Sequence, residues 1–200
     1  MKIVSSALVG ALLTFAFMGP AFGEPSSTKS VQLSKVVVDT ESNELVARVK
    51  GGTLCVFPSD VKVPKEKKTQ DYERFDNLFT QQLKLTGLKV VSTSNDMFEG
   101  EDESKKGDYL VGVIMRPTTY NLCSSVNGEK GKIAVNAEWK IYDRAAGKVV
   151  ETVMTSGEGV QDKFAIDGEK QMLNSAFRSN VDALLAKGLL QKYAQLAAAQ

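Results

Sequence analysis

Residues 108–160 run DYLVGVIMRPTTYNLCSSVNGEKGKIAVNAEWKIYDRAAGKVVETVMTSGEGV. In the first part Tyr109, Val111, Val113 and Met115 alternate with Leu110, Gly112 and Ile114. Both sets are apolar apart from the glycine, which predicts a strand covered on both faces. Further on, Ile133, Val135, Ala137, Trp139 and Ile141 alternate with Asn136, Glu138 and Lys140, the pattern of a strand with one buried and one wet face. Asn127-Gly128 and the DRAAGK segment with Gly147 supply the turns, and Val149 to Ser156 is the returning strand. The stretch is therefore expected to be a three-stranded meander with Trp139 turned inward. Pro117 is expected to end regular pairing in the first strand or to force a bulge there.

Upstream, Thr53-Leu54-Cys55-Val56-Phe57 is apolar on both faces and stops at Pro58, which predicts another central strand. Tyr72, Phe75, Phe79 and Leu83 recur at helical spacing between Thr69 and Gly87, and Leu88 to Val91 follows as a short strand. Strand, helix and strand in that order predict a right-handed crossover, with the strands near 54 and 89 parallel. Val31–Asp39 and Glu44–Lys50 are weaker strand candidates. Downstream, Leu173, Phe177, Val181, Leu184 and Gly188 form the stripe of one long amphipathic helix, from Asp167 or Gly168 to about Ala197. The expected architecture is an α+β two-layer sandwich, a mixed and mainly antiparallel sheet with two helices packed on one face. Residues 24–50 form a leader with an edge strand, and residues 51–197 a single domain.

Residues 1–23 have the form of a cleaved secretory signal. Lys2 is followed by an apolar run to Met18, a Gly19-Pro20 break and Ala21-Phe22-Gly23 before Glu24. No cysteine follows the cleavage region, so no lipid anchor and no membrane span is expected in the mature chain. The destination is the periplasm or the medium. Two cysteines in an oxidising compartment favour a Cys55–Cys123 disulfide, with two buried free thiols as the alternative.

The chain has 25 Lys plus Arg against 24 Asp plus Glu, a balance that gives no reason to expect nucleic acid as a partner. It contains no histidine, which removes histidine-based nucleophile systems, histidine-ligated zinc and the imidazole switch. Glu99, Glu101, Asp102 and Glu103 lack the alternation of a calcium loop, and Gly157-Glu158-Gly159 lacks the context of a phosphate loop. No metal, cofactor or catalytic residue is expected.

Three stretches carry a resemblance: Gly52–Pro58 (GTLCVFP), Asp108–Gly112 (DYLVG) and Ala137–Arg144 (AEWKIYDR). They look like a non-catalytic domain of exported alphaproteobacterial proteins that often precedes a trypsin-like protease domain. That resemblance implies a bridge between Cys55 and Cys123. With Gln200 as the last residue there is no room for a protease domain, so protease activity is not expected. The element order is also loosely similar to curli-secretion lipoproteins and to the amino-terminal domain of TolB.

The expected function is therefore an exported, non-catalytic binding or assembly module of the bacterial envelope. It would act through contacts with an envelope protein, and self-assembly into a homo-oligomer is compatible with this. The alternatives are a secreted, host-facing binding factor and a carboxylate-dependent hydrolase using Glu138 or Glu158. Candidate interface residues are Arg116, Tyr120 and Asn121 around Pro117, with Lys62, Lys65 and Lys67 in the basic loop.

Overall fold

The computed structural model describes residues 29–40, 46–69, 72–92 and 106–195. The signal segment 1–23 and the acidic positions 99–103 lie outside the described residues. Among the described residues seven strands form one sheet: β1 (Val31–Asp39), β2 (Val46–Gly51), β3 (Phe57–Lys62), β4 (Lys67–Thr69), β5 (Tyr109–Ser125), β6 (Gly128–Asp143) and β7 (Lys148–Ala165). The helices are α1 (Tyr72–Lys84), α2 (Gly168–Ala186) and α3 (Leu189–Gln195).

The meander is the spine of the sheet. β6 pairs antiparallel with β5 from Tyr109↔Asp143 to Ser125↔Gly128, and with β7 along its other side. The remaining edge of β5 has two parallel partners. β1 lies along Tyr109–Met115 and β2 along Tyr120–Ser124. A strand has only two edges, so β1 and β2 share one, placed end to end. β4 then pairs antiparallel with β1, and β3 with β2. The sheet is mixed and mainly antiparallel, as the apolar patterns predict.

Pro117 marks the seam between the two parallel partners. The register against β6 shifts between Pro117 and Thr119, and the one-residue slip exchanges faces. Tyr109, Val111, Val113 and Met115 point to the helical layer. Beyond the bulge Tyr120, opposite the buried Ile133, takes that role, and Cys123 turns to the open face. Pro117 has no N–H to offer its neighbour Val135, and the Val135 carbonyl accepts a hydrogen bond from Asn180 Nδ2 at 3.1 Å.

The helical layer closes the core. Phe75, Phe79 and Leu83 of α1 are fully buried, as are Met172, Ala176, Phe177, Val181 and Leu184 of α2. Phe177 lies between Phe75 and Trp139, with ring centroids 4.7 and 5.9 Å away. The buried polar atoms here are chained together. Trp139 Nε1 donates to Thr155 Oγ1 at 2.8 Å, Thr155 Oγ1 to Asn180 Oδ1 at 2.6 Å, and Asn180 Nδ2 also to Ala176 O. Satisfying each donor and acceptor is what makes such a core group tolerable. α2 lies on β7 at Gly157 and Gly159. A Cβ at Gly159 would come within 1.8 Å of Met172 O, and one at Gly157 within 2.5 Å of Ala176 O. The Gly-Glu-Gly motif is thus a helix-docking seat.

Four expectations need correction. Thr53–Phe57 is not a central strand. Gly52–Cys55 is the turn of the β2–β3 hairpin, β3 starts at Phe57, and Leu54, Val56 and Phe57 are exposed. The crossover exists, but its first strand is β1: after α1, Val90 forms a parallel bridge with Val31, with Val31 N donating to Lys89 O at 2.9 Å. The terminal helix is two helices. Gly188 adopts a left-handed φ of 68°, and the N–H groups of Lys187 and Gly188 close the end of α2 onto Leu184 O and Leu185 O. The segment before residue 51 carries two strands, and β1 is flanked by β5 and β4 rather than lying at an edge.

Candidate interaction surface

The end of the sheet at Ser125, here called the distal end, carries two turns side by side. Gly52 and Cys55 have positive φ values of 81° and 54°, which lets the β2–β3 turn fold back on β5. Gly52 N donates to Ser124 O at 3.0 Å, and Cys55 is bridged to Cys123 with a Cα–Cα distance of 5.5 Å. The β5–β6 turn, Val126-Asn127, lies next along β5. Beside the bridge is a cleft of about 500 Å³ lined by Arg48, Lys50, Asn121 and Lys130, with Gln161 and Asp162 on its β7 side.

Nearer the middle of the open face is a row of ion pairs. Arg116 contacts Asp39 at 3.4 Å and Glu138 at 2.9 Å, and Lys140 contacts Glu138 at 3.3 Å. The hydrogen bonds from Arg116 and then Lys140 hold the Glu138 carboxyl below its ordinary range. Glu158 is held by Lys132 at 2.7 Å. Ala134 lies opposite Glu158 on β6, so Glu138 is four residues further along that strand. This offset places the two backbone positions about 13 Å apart along the strands, and their carboxylates are engaged by different cations, Arg116 and Lys132.

The structure disperses the candidate interface residues. Asn121 is exposed at the distal cleft, whereas Arg116 is engaged in the central ion row. Tyr120 lies on the opposite face, packed against the core. Lys62, Lys65 and Lys67 are exposed around β3 and β4, on the far border of the sheet. The exposed aliphatics of the distal turns were missed by sequence reasoning. An apolar run such as Leu54–Phe57 signals burial, and only the preceding Gly51-Gly52 points to a turn.

No family model matches the chain, and no curated protein matches it. Solved structures do show likeness. A Xanthomonas campestris protein of the DUF330 family is 13% identical, with 88% of this chain and 93% of that one covered and a TM-score of 0.44. The PelC dodecamer of Paraburkholderia phytofirmans is 14% identical over 84% of this chain and 91% of that one, with a TM-score of 0.39. A minor lipoprotein of Acinetobacter baumannii is also 14% identical, over 86% and 94%, with a TM-score of 0.34. The protease-associated resemblance rests on the three quoted stretches alone.

Tyr120 provides a measurable reporter of the bulge. Burial, then the nearby Glu169 carboxylate, pushes its hydroxyl from 10.0 up to about 12. A pKa raised on folding gives stability that is fully present below pH 10 and is lost as pH rises towards about 12. The expected loss is on the order of 2 kcal/mol. Urea unfolding at a series of alkaline pH values should show it in the wild type and not in Tyr120→Phe. Equal slopes in both would place Tyr120 in water.

Proposed function

We propose that the protein is an exported, non-catalytic binding module of the cell envelope that takes an extended segment of a partner protein onto the free edge of β7. The observation that carries this reading is the difference between the two borders of the sheet. On one border β3 contains Pro58 and Lys62, and β4 is only three residues long with Lys67 and Lys68. Proline, lysine and shortness are the usual devices that stop an edge from pairing.

The other border has none of them over most of its length. Among the described residues β7 pairs with β6 alone. Glu151 to Val160 matches β6 residue for residue without a shift, and no lysine, arginine or proline occurs from Val149 to Gln161. Strand addition would supply main-chain hydrogen bonds, and the exposed Val149, Met154 and Val160 would supply side-chain contacts. The absence of histidine and the engagement of Glu138 and Glu158 by different cations support a role without catalysis. The disulfide suits a compartment outside the cytoplasm.

A photo-crosslinking amino acid at position 154 in exporting cells tests this reading. The expected result is an adduct with one extended segment of an envelope protein, lost when Val160 is also changed to Lys. A second copy as the captured partner would show as a dimer in sedimentation. Adducts formed from position 62 but not from 154 would refute strand addition at β7.

A further inference from the structure

The distal end carries a second surface that strand addition does not use. Leu54 is 81% exposed and Val126 99%. Singly exposed apolar residues are ordinary, but these belong to two adjacent turns held side by side. The Gly52–Ser124 hydrogen bond and the Cys55–Cys123 bridge fix one turn against the strand that leads into the other. The aliphatics therefore stand on convex turn tips and not in a groove. A protein partner would need matching pockets for each, whereas a bilayer interface accepts protruding side chains without them.

Charge favours the same occupant. Arg48 and Lys50 lie on the open face of β2, opposite Asn121 and Cys123 of β5, and Lys130 is opposite Cys123 from the other side. The cleft these three cations line has one carboxylate, Asp162, and Arg48 also contacts Asp60 of β3 at 3.5 Å. The acids Glu129 and Glu169 lie on the other side, where Glu129 Oε2 accepts from the Glu169 N–H at the start of α2. Apolar tips beside clustered cations are the pattern of a surface that meets anionic lipid headgroups.

We propose that the distal end docks on an anionic phospholipid surface, with Leu54 and Val126 entering the interfacial layer and Arg48, Lys50 and Lys130 meeting the phosphates. The disulfide holds the tip in shape, so little conformational freedom is lost on docking. Docked this way, the β7 edge stays clear of the headgroups along most of its length.

Co-sedimentation of the purified, oxidised protein with phosphatidylcholine vesicles, with and without phosphatidylglycerol, tests the proposal. Binding is expected only when phosphatidylglycerol is present, and it should weaken as salt is raised. Leu54→Asp with Val126→Asp, and separately Lys50→Glu with Lys130→Glu, should each weaken it about tenfold or more. Neither pair should move the thermal midpoint by more than a few degrees, because Leu54, Val126 and Lys50 are exposed and Lys130 is only half-buried. Met154→Lys should bind vesicles like the wild type, so failure of the strand-addition reading would leave this result standing. No binding to either vesicle, or binding unchanged in the turn variants, would overturn the proposal. Equal binding to both vesicles would remove the anionic requirement and overturn it as well.

Discussion

Gly159→Ala is expected to prevent α2 from docking and to destabilise the fold by more than about 4 kcal/mol. The added Cβ would sit 1.8 Å from Met172 O, 2.6 Å from Met172 C and 2.9 Å from Ala176 N. All three are backbone atoms of α2, so no side-chain rotation relieves the clash. The helix would have to lift off β7, exposing Met172, Ala176 and Phe177, which are fully buried. It would also break the Thr155–Asn180 hydrogen bond and leave buried polar groups without partners. Gly112→Ala is the matched control. Gly112 lies on the open face of β5, and a Cβ there meets nothing within 4 Å. That substitution should change stability by less than about 1 kcal/mol and in the favourable direction. Urea denaturation of both variants decides the matter. Equal midpoints would mean that α2 does not rest on these glycines.

Cys55→Ser is expected to cost about 4 kcal/mol, since the bridge closes a loop with a sequence separation of 68. The loss should be uneven. β2 is held on β5 by five paired positions, and β3 is held by β2. Without the bridge, β2 and β3 are the elements expected to open first. Limited proteolysis of the variant should cut within residues 52–62 before the β5–β7 meander is touched. Hydrogen exchange should rise in the same place. A midpoint equal to the wild type, with no new cleavage there, would show that the bridge stabilises neither the fold nor the turn. Loss of vesicle binding in this variant, with exchange raised only in β2 and β3, would tie the distal surface to the bridge.

Periodicity made the meander legible because burial on one face imposes a two-residue repeat that survives any detail of pairing. Trp139 went inward on parity alone, and the spacing of Phe75, Phe79 and Leu83 marked the inner face of α1. Local composition failed where a tertiary tie overrides it. The Thr53–Phe57 run carries the apolar signal of a core strand, yet the bridge to Cys123 holds it as a surface turn. Gly188 fell in phase with an apolar stripe, and only its left-handed φ revealed that the helix ends there. Tyr120 and Asn121 are strand neighbours and so face opposite ways, and the single-residue bulge after Pro117 makes Tyr120, not Asn121, the one that faces the core. No pattern in the chain announces a bulge of that kind beyond the proline itself. The Trp139–Thr155–Asn180 chain was equally invisible, because its members come from three elements and make sense only in space.

The end-to-end placement of β1 and β2 along β5 bears on the order in which the chain acquires its structure. β5, β6 and β7 are consecutive hairpins, so their ladders close over short loops and form a template early. Val31 must then find Tyr109, and Ala47 must find Tyr120, each across a long intervening segment. Parallel pairing of that reach carries the larger closure entropy and comes late. On that ordering the two thiols meet only after β2 has settled beside the far half of β5, and oxidation is expected to follow assembly and not to guide it. An oxidant that reaches the chain as it emerges finds the cysteines apart, and with a single pair there is no wrong partner within the molecule to trap.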